Sequence, residues 1–399
     1  MRILHDFHVG ECTGEGEGFQ TNLQEYSRKS HDSCMRRILD CSGILVYYPP
    51  FNRGISMKYW LTILVSFVFL SSAVAQPRVL LYYDMEGLSG VRDWRLTSAA
   101  ESQYPQGRMF LTADVNSAIR GLKDGGAGEI VVTDAHGSGS PEPDILLEEM
   151  DKRATFEFRD TAFAPYTDMP SSKYQAIVCI GMHARAFTPG FLAHTYTVEP
   201  AFNVNGLDFT ETTIIAVSAA RFGIPVIMVS GDDVLEKQVR EQFPNTEFAV
   251  VKTARARGDA DTLTQPEAQR RIYEAARSAM RKLSSIKPFH LDGPFEFAMS
   301  FQNRAQTDRA ANYPGLQRRG DTTLVFSDTD FIEGYKRSLA LVRLATTERT
   351  SLLFRAVREH PAAAEIMRRF NELVHERWFS TDEFWTPPTP PRKRYHGAQ

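Results

Sequence analysis

Three short apolar runs in this chain each lead straight into side chains that can bind a metal. Val79-Leu-Leu-Tyr-Tyr83 runs into Asp84-Met85-Glu86-Gly87. Glu129-Ile-Val-Val-Thr133 runs into Asp134-Ala135-His136-Gly137. Ala176-Ile-Val-Cys-Ile180 runs into Gly181-Met182-His183-Ala184-Arg185. Zinc accepts imidazole nitrogen and carboxylate oxygen, and a catalytic site keeps a position for water. A two-metal hydrolase also needs a carboxylate able to bridge ions about 3.5–4 Å apart. Asp84 and Glu86 are alternate residues, so in extended backbone both side chains point the same way. One could bridge while the other serves a single ion. Taken singly, an Asp at a strand end is a turn former or helix cap, and a loop His is a polar surface group. Their joint occurrence at three strand ends is what points to metal chemistry.

The surrounding pattern supplies the frame. Segment 110–123 reads as a helix ended by Gly125-Gly126, and 211–221 as one closed by Gly223 and Pro225. Val226-Ile-Met-Val-Ser230 and Phe248-Ala-Val-Val251 read as strands, and 234–242 and 265–283 as helices. Nearly continuous apolar strands alternating with helices predict an α/β fold: a mostly parallel sheet flanked by helices. In such sheets sites form outside the carboxyl ends of the strands, which would bring the three segments into one crevice. From about residue 288 the pattern changes. Alternating 295–301, a strand at 322–326 and a helix over 330–348 predict a smaller α+β unit after the main domain. The expected division is an α/β metal-binding domain over 76–287, the smaller unit over 288–350, and a helical extension with a proline-rich basic tail over 351–399, the tail expected to be disordered.

The N-terminal stretch has a different logic. Lys58, the apolar run Trp60–Leu70 and Ala73-Val74-Ala75 form a basic n-region, an h-region and a cleavage site, in that order. The run is shorter than the roughly 20 apolar residues needed to span a bilayer. Residues 57–75 therefore read as a cleaved signal peptide, implying export to the periplasm or beyond and no stable membrane insertion afterwards. A signal works at an N-terminus, so residues 1–56 read as an untranslated leader. Its His5, His8, His31, Cys12, Cys34 and Cys41 match no zinc spacing. Past the signal only Cys179 remains, in an apolar run, and it reads as a small buried hydrophobe. A net charge of -3 without a basic stripe gives no reason to expect a nucleic-acid partner.

The motifs in order are Asp84-Met-Glu-Gly-Leu-Ser-Gly90, Asp134-Ala-His136, His183-Ala-Arg-Ala-Phe-Thr-Pro-Gly190 with His194, Asn205-Gly-Leu-Asp-Phe-Thr-Glu211, Val229-Ser-Gly-Asp-Asp233 and Val251-Lys252. Together, over roughly residues 78–348, they resemble the DppA-type D-aminopeptidases. The resemblance implies two Zn2+ ions per chain held by Asp84, Glu86, His136, His183 and Glu211, with Asp84 bridging and His194 catalytic. It further implies short peptides with D-residues at the free N-terminus as substrates, and a ring-shaped homo-oligomer. A metal-dependent hydrolase of another amide or ester bond, and a non-catalytic exported binding protein, are the alternatives. Among other polar residues, Asp232 and Asp233 read as helix caps or as groups orienting a metal-bound His. Arg185 reads as a substrate-carboxylate ligand or the partner of a nearby acid. His290, His360, His375 and His396 lie outside the convergent loops and read as surface groups.

Overall fold

The computed structural model describes residues 76–158, 165–197, 200–346 and 348–379, together with two short strands, Arg37–Leu39 and Leu45–Tyr47. Those two strands pair antiparallel within a separate N-terminal unit. The signal-like segment 57–75, the tail beyond residue 379, with His396, and the candidate leader ligands lie outside the described residues.

The principal sheet has seven strands: β1 (Val79–Tyr83), β2 (Ile130–Asp134), β3 (Thr155–Phe156), β4 (Ala176–Ile180), β7 (Val226–Asp232), β8 (Glu247–Ala256) and β9 (Asp259–Thr262). Their spatial order is β9-β8-β7-β4-β1-β2-β3, with every neighbouring pair parallel except β8 with β9. β1, β2 and β4 lie side by side at the centre and are buried along their whole length. That explains why each reads as a continuous apolar run rather than an alternating one.

Strand alternation sends Val79, Leu81 and Tyr83 to one face and Leu80 and Tyr82 to the other. The first face packs beneath α1 (Tyr104–Gly125) and α5 (Gln265–Arg281), whose Leu111, Val115, Ala118 and Leu122, and Ala268, Ile272, Ala276 and Ala279, form helical stripes. Helix α1 stops at Gly126, whose left-handed φ of 107° reverses the chain. The second face packs against α3 (Glu211–Ala220) and α4 (Asp233–Gln242). A Thr210–Thr213 capping box fixes the first residue of α3 at Glu211.

The same core continues into a five-stranded antiparallel sheet of order β11-β12-β10-β5-β6. Its strands are β5 (Ala201–Val204), β6 (Leu207–Asp208), β10 (Phe295–Ser300), β11 (Gln317–Arg319) and β12 (Thr323–Asp328). After the short helix α6 (Arg304–Ala310), helix α7 (Phe331–Ala345) covers the sheet, stacking Phe331 on Phe297 and setting Tyr335 edge-on to Phe202. This second sheet draws β5 and β6 from within the stretch assigned by sequence to the first domain. β10 pairs with β5 across about ninety residues of chain, at Phe297 with Val204 and Ser300 with Ala201. The extension forms two helices, α8 (Glu348–Glu359) and α9 (Ala363–Phe379). No helix among the described residues is long and apolar enough to cross a membrane.

Candidate metal centre

The chain turns at the ends of β1 and β4 bring the first two ligand segments into contact. Asp84 N donates to Ile180 O at 2.8 Å, and Gly87 N donates to Gly181 O at 2.7 Å. A Cβ on Gly87 would lie 1.8 Å from Met182 O, and one on Gly181 would lie 2.2 Å from Asp84 O. Gly181 also holds a φ of 74°. Only glycine at both positions lets Asp84, Glu86 and His183 share one space. The β2 end joins them because Asp134 Oδ1 accepts the backbone N–H of His136 at 2.8 Å and curls the chain inward. Glu211 arrives from the second face as the first residue of α3.

Asp84 stands between two imidazoles. Its Oδ1 is 2.9 Å from His136 Nδ1 and its Oδ2 is 3.3 Å from His183 Nε2. Glu86 Oε2 lies 3.3 Å from His136 Nδ1, and Glu211 Oε2 lies 3.5 Å from His183 Nε2. His194 stacks on His183 with ring centroids 4.0 Å apart, and its Nε2 is 3.9 Å from Glu211 Oε1. All six sequence-assigned residues therefore meet in one cluster. Ligand atoms of Asp84, Glu86 and His183 fall within 4.8 Å of one another, and so do those of His183, His194 and Glu211. The histidine side chains differ in access: His183 is 1 % exposed and His194 is 16 % exposed, so His194 is the one at the open side.

The tautomers follow from the second nitrogen of each ring. His136 Nε2 donates to Thr97 O at 2.9 Å, His183 Nδ1 to Ala184 O at 3.0 Å, and His194 Nδ1 to Leu192 O at 2.8 Å. When neutral, each ring turns its lone pair toward carboxylate oxygens. Acceptors facing acceptors require a cation between them, either protons or metal ions. Buried Glu86 Oε2 and His183 Nε2 have no hydrogen-bond partner, which native proteins rarely leave uncompensated. The donor set, two to three imidazoles and three carboxylates, suits zinc.

The electrostatics agree. Burial raises the Asp84 carboxyl, the charge of Glu86 raises it further, and the contacts of His136 and His183 offset this only in part. Burial raises Glu86 too, yet the charge and close approach of His136, with the charges of His183 and His194, hold it well below the usual carboxylate range. At Glu211 burial is likewise overcome, chiefly by His183, and the carboxyl is brought down to about 2. Burial alone would lower His136 and His183, but Glu86 and Asp84 on the one, and Glu211 and Asp84 on the other, hold both well above the ordinary imidazole value.

Two further residues shape the site without any signal in the sequence. Tyr166, in the short helix α2 (Pro165–Asp168), donates its hydroxyl to Glu211 Oε2 at 2.6 Å, and the backbone N–H of Tyr196 donates to Glu211 Oε1 at 2.6 Å. Both carboxylate oxygens are thereby fixed. A lone tyrosine in an aperiodic stretch offers no spacing to detect. Asp232 caps α4 through Leu235 N at 2.7 Å, whereas Asp233 instead accepts Ala254 N from β8 at 2.9 Å. Arg185 pairs with the acid Asp208 at 3.1 Å. His290, His360 and His375 are exposed, and Cys179 is fully buried, where burial pushes its thiol up.

Comparison with known proteins defines the class to which this fold and site belong. The peptidase M55 family model, described as D-aminopeptidase, matches residues 78–339. The chain belongs to this D-aminopeptidase family. It is 27 % identical over 270 residues to the D-aminopeptidase of Bacillus subtilis strain 168, covering 67 % of this chain and 97 % of that one. Its structure is similar to that of the Zn-dependent D-aminopeptidase DppA from Bacillus subtilis, described as a self-compartmentalizing protease, with a TM-score of 0.63 at 27 % identity over 67 % of this chain and 98 % of that chain.

Proposed function

We propose that this chain is a two-zinc aminopeptidase that removes D-residues from the free N-terminus of short peptides. The observation that carries the reading is the convergence of three imidazole lone pairs on three buried carboxylates, each ring fixed by a backbone carbonyl behind it. His136 and Glu86 would hold one ion, His183 and Glu211 the other, with Asp84 shared because its two oxygens face the two different rings. When bound, zinc supplies Lewis acidity toward a carbonyl oxygen and lowers the pKa of water.

The protein's own groups do the rest. Tyr166 and the Tyr196 N–H keep Glu211 from rotating. His194 Nε2 is at the open side of the cluster, with its proton-bearing Nδ1 committed to Leu192 O. It can therefore take a proton at Nε2 and return it to the leaving amine. D-selectivity is supported by membership of the family, and assembly into a homo-oligomer by the self-compartmentalizing relative. The signal-like segment before Gln76 supports export.

The test is amine release from D-Ala-D-Ala beside L-Ala-L-Ala, with and without a chelator. Faster, chelator-sensitive cleavage of the D-peptide is expected. Faster cleavage of the L-peptide would overturn the stereochemistry, and activity confined to ester or non-peptide amide substrates would overturn the aminopeptidase reading.

A further inference from the structure

The loop that carries His194 is under backbone strain. Phe187, Leu192 and Tyr196 hold φ values of 60°, 49° and 65°, in the left-handed region that side chains other than glycine's disfavour. Such residues persist only where the surroundings over-determine them. The ties from outside the loop converge on its middle. Leu192 N donates to Arg257 O at 2.7 Å, and Phe191 N donates to Asp232 Oδ2 at 2.8 Å. A Cβ on Gly190 would come within 3.2 Å of that same oxygen and 2.4 Å of the Ala184 Cβ, so the backbone lies directly on the carboxylate.

A helix cap needs one acceptor, and Asp232 Oδ1 supplies it to Leu235 N. The second oxygen is spent on the loop. The 190–191 peptide it anchors is joined through the 191–192 peptide, itself tied to Arg257 O, to the one that matters: Leu192 O accepts the His194 Nδ1–H and so sets which nitrogen faces the cluster. The Phe191 ring, 1 % exposed, lies 4.5 Å from Lys252 Nζ, which donates to the carbonyls of Glu86 and Val91 at 2.6 and 2.5 Å. The His194 loop and the Asp84–Glu86 turn thus share one buried bracket.

We propose that Asp232 is a positioning residue for His194: through Phe191 N it fixes the Leu192 carbonyl, and through that the imidazole tautomer and ring placement. This rests on the reading of His194 as the proton carrier. The test is a double-mutant cycle of Asp232→Ser with His194→Ala in the full chain, reading kcat, KM and zinc content on D-Ala-D-Ala. Serine keeps the cap and loses the loop contact. Alone it should lower kcat by ~10–100-fold, as loss of a partner that orients a functional histidine does, with KM and zinc content retained. In the His194→Ala background its effect should shrink to about 2-fold or less, because groups acting as a unit are not additive.

An equal loss in both backgrounds, or loss of zinc in Asp232→Ser, would overturn the proposal while leaving the aminopeptidase reading intact. Full turnover in His194→Ala alone would overturn the proposal together with the reading of His194 as the proton carrier, while still showing aminopeptidase activity. If the serine variant does not fold, Asp232→Asn, which also retains one acceptor, enters the same cycle. Failure of both to fold would assign Asp232 to stability alone.

Discussion

Loading the site with zinc should expel protons, and their number follows from the geometry. In the metal-free chain the carboxylates raise His136 and His183 well above the ordinary imidazole value of about 6.5. Both are therefore protonated at pH 7. Glu211, at about 2, and Glu86, held well below its usual range, carry none. Asp84 is shifted upward and can only add to the count. A metal ligand must be deprotonated, so filling the site should release about two protons per chain at pH 7. Apparent affinity should then fall roughly 10²-fold for each pH unit of acidification, since every displaced proton contributes a factor of ten per unit.

The metal-free chain should respond to pH in the opposite sense. A raised imidazole stabilises the fold fully below its unfolded value of about 6.5, and that contribution fades as pH rises through the higher folded value. Isothermal titration with zinc in buffers of different ionisation enthalpy reads the proton count directly. Release of no protons, or an affinity independent of pH between 6 and 7, would refute the assignment of the two rings as ligands facing carboxylates.

Four substitutions separate the roles of the individual groups. Asp84→Ala should lose more metal than Glu86→Ala, because Asp84 faces both rings while Glu86 faces one; metal analysis showing full occupancy in Asp84→Ala would remove it as the bridge. His194→Ala should keep both zinc ions and lose ~10²–10⁴-fold in kcat, the usual cost of a proton-transfer group, whereas loss of zinc would make it a ligand, as its 3.9 Å approach to Glu211 also permits. Tyr166→Phe removes a hydrogen bond to ionised Glu211, about 1.5–3 kcal/mol. It should weaken zinc retention in a chelator competition by ~10–100-fold with the fold intact by circular dichroism, and unchanged retention would show that Tyr196 N–H alone secures the carboxylate.

The residues of the cluster were legible because each follows a fully buried strand. A run such as Ala176–Ile180 can only be a central parallel strand or a buried helix, and glycine at 181 resolves the choice. The α/β class and the principal helices follow from the same punctuation by Gly125-Gly126, Gly223 and Pro225. What escaped was whatever depends on contacts distant in sequence. β5 and β6 are four and two residues long; β6 pairs with β5, and β5 acquires its other partner β10 only after the chain has passed through α5. Tyr166 meets Glu211 across 45 positions. The mutual fit of Gly87 and Gly181 is visible only once β1 and β4 are side by side. Asp232 was legible as a cap, since capping is local, but its second oxygen reaches 41 positions back to Phe191.

The central claim is that this cluster is a two-metal centre, and the most direct measurement is the metal content of the purified chain by elemental mass spectrometry after dialysis against zinc and then against metal-free buffer. Two zinc ions per chain, falling toward zero in Asp84→Ala, is the predicted result. One ion or none per wild-type chain would contradict it.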